Sequence, residues 1–188
     1  MPTYTTKPIT FSSQIIPTPL GNMVAIADIQ ALYLLEFCDK KNLSEELSRL
    51  CSTYKVTVIQ QNNNLILNLL ARELQDYFAG VLQRFTTPVC LTGTDFEQRA
   101  WHALNAIPYG TTCSYIQQAT LLNKHTAFRA VARANSKNRL AIIVPCHRVI
   151  NKNGNVAGYA GGIARKEWLI MHEKTKKLVL ENLISSIH

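Results

Sequence analysis

Residues 140–144, Leu-Ala-Ile-Ile-Val, form an uninterrupted apolar run that opens directly into Pro145-Cys146-His147-Arg148-Val149-Ile150. A glycine-rich turn ending Gly158-Tyr159-Ala160-Gly161-Gly162 follows. The pattern predicts a buried strand whose end carries one cysteine flanked by a histidine and an arginine. A cysteine reacts as its thiolate, and a free thiol with a pKa of about 8.5 is only slightly ionised at neutral pH. A neighbouring base and positive charge therefore point to nucleophilic chemistry at Cys146, against the alternative of an inert buried thiol.

A chain of 188 residues, 47% of them hydrophobic, suffices for one large domain or two small ones with a packed core. No stretch approaches the roughly 18 apolar residues of a membrane span. The N-terminus, with Pro2, Lys7 and Pro8 among polar residues, lacks a signal-peptide core. The expectation is a soluble, cytoplasmic protein with no membrane partner. The five cysteines, Cys38, Cys51, Cys90, Cys113 and Cys146, include no CxxC pair and no Cys/His cluster at zinc spacing. Neither a disulfide framework nor a metal is expected, and Cys38, Cys51, Cys90 and Cys113 read as small apolar packing residues.

The net charge of +8 is uneven: residues 1–90 hold seven Lys/Arg and seven Asp/Glu, residues 91–188 thirteen and five. Between Glu97 and Glu167 lie ten basic residues and no acidic one. Such an excess suits phosphate contacts on a nucleic acid, and equally a solvated surface.

The fold class reads as α+β: a small N-terminal sheet-and-helix domain, residues 1–90, then a mostly helical domain, residues 91–188. Strands are predicted at Ser13 to Ile16, Met23 to Asp28, Ala31 to Phe37 and Val56 to Ile59. Helical spacing marks Leu43 to Leu50 and Leu65 to Phe78, with Asn62-Asn63-Asn64 a turn before the second. Phe85 to Thr94 reads as the connector, with the boundary near Cys90. Helices follow over Asp95 to Ile107 and Arg165 to Lys174, and a last one near Leu178 to Ile184 should pack on the body. Trp101 and Trp168 read as core, His125 as a turn residue and His172 as a helix-surface residue.

Ser114 and Gln117 form a capping-box pattern for a helix to about Leu122. Asn123-Lys124-His125 then gives a tight turn, and Thr126 can cap a second helix through Asn135. Two short helices so joined predict a helix-turn-helix. On the second, Arg129 and Arg133 share one face while Phe128 and Val131 lie opposite. Ala127, Ala130, Ala132 and Ala134 keep that helix slim enough to approach a groove, although alanine also favours helices in general.

Six blocks occur in order: Gly93-Thr94-Asp95-Phe96, Ile107-Pro108-Tyr109-Gly110, Ser114-Tyr115, Arg129-Ala130-Val131, Pro145-Cys146-His147-Arg148-Val149 and Gly158-Tyr159-Ala160-Gly161-Gly162. With these the chain resembles the O6-alkylguanine-DNA alkyltransferase family, closely over about residues 91–174. The first half resembles the family's variable, ribonuclease H-like N-terminal domain in outline only. The resemblance implies repair of duplex DNA by direct reversal: a flipped, alkylated guanine loses its alkyl group irreversibly to Cys146, without cofactor or metal. Binding would run through the minor groove by a monomer; cooperative binding and O4-alkylthymine as a second substrate are left open.

The resemblance also implies roles. His147 would take the Cys146 proton through a water, and Glu173 would orient His147. Tyr115 would assist guanine departure and press on the backbone. Arg129 would enter the stack in place of the extruded base, with Thr126, Ala130 and Arg133 also facing DNA. Asn138 would pin the helix-turn-helix to the active-site segment, although Arg139 stands where the family usually has proline, which puts the stiffness of that hinge in question. Val156, Ala157, Tyr159 and Ala160 would border the guanine pocket. Three other readings compete with it. A non-catalytic damage sensor of this fold would lack Cys146. A transcriptional activator would need a cysteine-rich zinc module that residues 1–90 do not hold. A cysteine hydrolase would need direct Cys146–His147 contact and an oxyanion hole.

Overall fold

In the computed structural model, which describes residues 10–56, 58–60 and 63–185, the N-terminal part is built on a four-stranded sheet. The stretch holding Pro2, Lys7 and Pro8, together with Asn62, lies outside the described residues. Strands β1 (Phe11–Ile16), β2 (Met23–Ala27) and β3 (Leu32–Phe37) run antiparallel, and β4 (Val58–Gln60) adds in parallel beside β1, giving the order β3-β2-β1-β4. Every residue of β2 and β3 is buried, so both faces of the sheet are covered. Val24, Ile26, Tyr33 and Leu34 pack with Phe11 beneath Leu50 of α1 (Leu43–Tyr54). The other face, with Met23, Ala25, Leu35 and Phe37, joins α2 (Leu65–Ala79) and the C-terminal half in one core that includes Trp101, Ile142 and Leu169.

The connector is fixed rather than loose. Glu73 of α2 accepts from the backbone N–H and hydroxyl of both Thr86 and Thr87 at 2.6–3.0 Å. The chain then runs along the free edge of β3, where Leu32 N donates to Pro88 O and Cys90 N to Leu32 O, both at 2.8 Å. Further along the same edge, Leu35 N donates to Arg139 O at 2.8 Å and Ala141 N to Leu35 O at 2.9 Å. The segment leading to Cys146 is thus paired to the N-terminal sheet.

The C-terminal part is helical: α3 (Asp95–Leu104), α4 (Tyr115–Leu121), α5 (Phe128–Ser136) and α6 (Ile163–Ser185), with a two-residue parallel pair, β5 (Cys113–Ser114) and β6 (Val149–Ile150). The Ser114–Gln117 capping box forms as expected, with Ser114 Oγ accepting from Gln117 N at 3.1 Å and Gln117 Oε1 from Ser114 N at 2.7 Å. A second box, Thr94 with Glu97, opens α3. Helices α4 and α5 pack through Ala119, Leu122, Val131 and Ala134 against Ala100. Gln118 and Asn135 exchange amide hydrogen bonds at 3.1 and 2.7 Å, and Trp101 Nε1 donates to Ala134 O at 2.8 Å, locking the helix pair to α3.

Several expectations need correction. The apolar run 140–144 is not a strand: after the single bridge at Leu140, Ile143 N bonds back to Ala141 O and Cys146 N to Val144 O, two γ-turns in succession. Ile142 at the first turn has φ 72°, a strained conformation for a β-branched residue, whereas Pro145 at the second suits its φ of −82°. The run is apolar because it is enclosed in the core between the two halves, a cause that hydrophobicity alone does not separate from a strand. Thr126 is exposed and caps nothing; the first residue before α5 is Ala127, so the connection between α4 and α5 spans residues 122–127. Phe128 is exposed rather than packed, with the Arg129 guanidinium 5.5 Å from its ring centroid.

The two C-terminal helices are one, and Leu178 and Val179 on it are half exposed instead of packing on the body. Trp168 is partly exposed, stacked at 4.8 Å on His172, whose Nε2 bonds the Tyr77 carbonyl at 2.9 Å. His172 is therefore a tie to α2 and not a surface residue. Cys38 is exposed and does not serve as packing; Cys51, Cys90 and Cys113 are partly buried, and all five cysteines are unpaired. Among the described residues no helix is long and apolar enough to cross a membrane.

Candidate active site

Cys146 opens a single 3-10 turn, Cys146–Arg148, that sends the thiol to one side and the next two side chains to the other. The thiol points to Asn138, whose Nδ2 donates to Sγ at 3.2 Å and to Val144 O at 2.9 Å. Asn138 Oδ1 in turn accepts from Leu140 N at 3.0 Å. One buried amide thereby fixes the exit of α5, the γ-turns and the thiol together. Around Arg139 the chain is held by this amide and by the pairing of Arg139 O with Leu35 N.

His147 and Arg148 face the other way, into the core, and meet Glu173 of α6. His147 Nε2 lies 2.9 Å from Glu173 Oε1, and Arg148 forks onto both carboxylate oxygens at 2.9 and 3.0 Å. Tyr77 Oη and Gly110 N also donate to this carboxylate, at 2.8 and 3.1 Å. Gly110 has φ 70°, and a Cβ there would stand 2.9 Å from the Glu173 carbonyl, so the chain can pass this close only without a side chain. Arg148 Nη1 completes the cluster by donating to Ile107 O at 2.8 Å.

The electrostatics follow from burial and partners. Burial opposes charge on Glu173, but hydrogen bonds from His147 and Arg148 and the guanidinium charge hold its carboxyl well below the usual range. Burial outweighs the Glu173 bond at His147 and favours the neutral imidazole. An ionised carboxylate can only accept, so Nε2 carries the proton and the Nδ1 lone pair is left as the basic site. Nδ1 is buried and has no hydrogen-bond partner among the described residues. Burial pushes the Cys146 thiol up to about 11; the Asn138 bond and the Lys166 charge oppose the rise, and the Glu36 charge adds to it. At rest Cys146 is a thiol and needs a base.

On the outer side of the thiol lies the glycine-rich loop. Tyr115, at the start of α4, donates from Oη to Ala157 O at 3.3 Å. Lys166, fully buried and without a carboxylate partner among the described residues, donates from Nζ to Ala157 O at 2.9 Å and Gly158 O at 3.2 Å, and its ammonium lies 5.7 Å from the Tyr115 ring centroid. Tyr159 packs against the core with its hydroxyl buried and unpaired, while Val156 is half-buried and Ala160 exposed. Arg129, Ala130 and Arg133 lie on the exposed face of α5.

The structure thus gathers three hydrogen-bonded groups around the Cys146–Arg148 turn: Asn138 with Cys146, His147 with Glu173, and Tyr115 with Ala157. It leaves Thr126, Arg129, Ala130 and Arg133 on the exterior, without a hydrogen bond to those groups among the described residues. Sequence reasoning missed Tyr77, Arg148 and Lys166 as members. Arg148 and Lys166 were counted in the basic excess, yet both point inward; a signal was available in their position beside apolar neighbours. Tyr77 carried no signal, since it sits 96 residues from Glu173. Among the described residues no three His, Cys, Asp or Glu side chains gather to hold a metal ion.

A buried imidazole–carboxylate pair next to a thiol, set beside a helix-turn-helix, is the arrangement of a thiol-based transfer protein on a DNA-binding scaffold. Comparison with known proteins agrees. Residues 95–175 match the family model described as 6-O-methylguanine DNA methyltransferase, DNA binding domain, and residues 13–91 its ribonuclease-like domain. A methylated-DNA–protein-cysteine methyltransferase of Salmonella typhimurium is 41% identical over 160 residues, covering 84% of this chain and 92% of that protein. The crystal structure of Mycobacterium tuberculosis O6-methylguanine methyltransferase superposes with a TM-score of 0.76 at 36% identity, over 88% of this chain and 94% of the other. A crystal structure of the Mycobacterium tuberculosis protein in complex with DNA matches with a TM-score of 0.74 at 35% identity, over 89% and 94%. The chain belongs to the methylated-DNA–protein-cysteine methyltransferase family.

Proposed function

We propose that Cys146 is the acceptor in a single-turnover repair reaction, and that the network around it performs the proton transfers. As a member of its family the chain is a DNA-binding methyltransferase that repairs DNA by moving an alkyl group from O6 of guanine to a cysteine. The observation that carries the residue assignment is the His147 Nε2–Glu173 bond at 2.9 Å, which leaves Nδ1 as the free basic site one residue from the thiol.

In this reading His147 Nδ1 takes the Cys146 proton through a water, and Glu173 stabilises the imidazolium that results. The thiolate sulfur attacks the alkyl carbon; the S–C bond forms, the C–O6 bond breaks, and its electron pair leaves on the guanine, which takes up a proton. Tyr115 Oη, held at the pocket loop, assists that departure. Asn138 and the buried Lys166 charge stabilise the thiolate. The thioether formed has no internal route back, so each molecule reacts once. Val156, Ala157, Tyr159 and Ala160 border the guanine.

The base reaches the thiol by rotation out of the duplex. Arg129 takes its place in the stack from a helix in the minor groove, and Ala130, Arg133 and Thr126 flank it. The exposure of this face and the small side chains of α5 support that placement. The chain divides functionally near residue 90, acts as a monomer and works in the cytoplasm, in keeping with its unpaired cysteines. The test is Cys146→Ala: it should bind duplex carrying O6-methylguanine like the parent and transfer nothing. Stoichiometric transfer by that variant would assign the acceptor elsewhere.

A further inference from the structure

Arg165, in the first turn of α6, ties three separate segments together. Its Nε donates to Leu20 O at 2.9 Å in the turn between β1 and β2. Its Nη1 donates to Gly161 O at 3.0 Å in the pocket loop. Nη1 and Nη2 fork onto Asp39, just past the end of β3, at 2.9 and 2.8 Å. The guanidinium also lies face-on to Phe37, with Cζ 4.0 Å from the ring centroid.

Phe37 is buried and touches the same loop. A Cβ on Gly161 would stand 2.9 Å from the Phe37 ring and 2.8 Å from Tyr159, so Gly161 is held between the two aromatic rings. The Asp39 fork is exposed and by itself contributes little. The two carbonyl bonds and the ring contact are the shielded part, and they require a planar, multiply donating group.

We propose that Arg165 is a positioning residue through which the N-terminal sheet holds residues 157–162 in the shape that receives the base. The N-terminal part is then a working part of the transfer site. The proposal rests on the reading of that loop as the guanine pocket.

The test compares parent and Arg165→Ala in three reactions: methyl transfer from free O6-methylguanine base, alkylation of Cys146 by iodoacetamide followed on its own peptide, and binding of undamaged duplex. The first needs the pocket, the second only the thiol, the third only the DNA face. The expected result is a loss of roughly tenfold or more in transfer from the free base, with iodoacetamide rate and duplex affinity within about twofold of the parent. Should Arg165→Ala not fold, Arg165→Lys carries the same comparison, since it keeps the charge and loses the fork. Equal transfer rates, or a parallel fall in all three reactions, would overturn the positioning role. Absence of methyl transfer in the parent protein itself would instead strike at the assignment of Cys146.

Discussion

The amide of Asn138 donates to the sulfur of Cys146 at 3.2 Å, and the same side chain caps the backbone N–H of Leu140 at 3.0 Å. The residue that ends the helix-turn-helix therefore also sets the thiol. Replacing it removes a thiolate donor and strands a buried N–H. Asn138→Ala should cost about 1–3 kcal/mol of stability, measured by denaturant unfolding. It should also slow single-turnover transfer; a variant as fast as the parent would mean that the amide is structural only.

Glu173 accepts five hydrogen bonds from four residues, with Arg148 as the permanent cation among them. Glu173→Gln leaves that guanidinium buried without its charge partner, a loss of roughly 3–5 kcal/mol. The folded carboxyl lies below its unfolded value, so its stabilisation is present above about pH 4.3. It disappears as pH falls through the depressed folded value. Thermal melts at neutral and acid pH should show the gap between parent and variant closing in acid; a gap independent of pH would assign the loss to packing.

Because burial keeps His147 neutral, the transfer rate should stay level across neutral pH. It should fall about tenfold per unit only below His147's lowered value, under the ordinary imidazole value of about 6.5. Single-turnover rates over this range provide the check. A rate rising steadily toward the thiol's own value of about 11 would mean ionisation by solvent and would exclude His147 as the base.

In the proposed function Arg129 bears on duplex repair and not on thiol chemistry. Arg129→Ala should lower repair of O6-methylguanine in duplex by about tenfold or more while changing transfer from the free base by less than about twofold. Equal loss on both substrates would remove it from the stack-filling role.

The architecture was legible where local chemistry repeats. Short extended segments marked β1 to β3, and the Ser114–Gln117 capping box marked the start of α4. Where long-range packing decides, the pattern misled. The run 140–144 is apolar because two halves of the protein enclose it, and its γ-turns are tied to Leu35 through Ala141 N and to Asn138 through Val144 O. Likewise, Arg148, Arg165 and Lys166 contribute to the basic count but are used internally, a distinction that charge statistics do not carry. Cys146 and His147 stand in a motif block, whereas Asn138 came only with the family resemblance. Tyr77 and Phe37 could not be read from either, because their partners lie far away in sequence and the contacts arise from the N-terminal sheet and α2 packing on the C-terminal half.

In the proposed function one thiol accepts one alkyl group. The most direct measurement is intact and peptide mass spectrometry after mixing the protein with a duplex containing a single O6-methylguanine. The expected result is one added methyl per protein, on the peptide carrying Cys146 and on no other cysteine. Duplex binding without any gain in mass, or methyl found on Cys38, Cys51, Cys90 or Cys113, would contradict it.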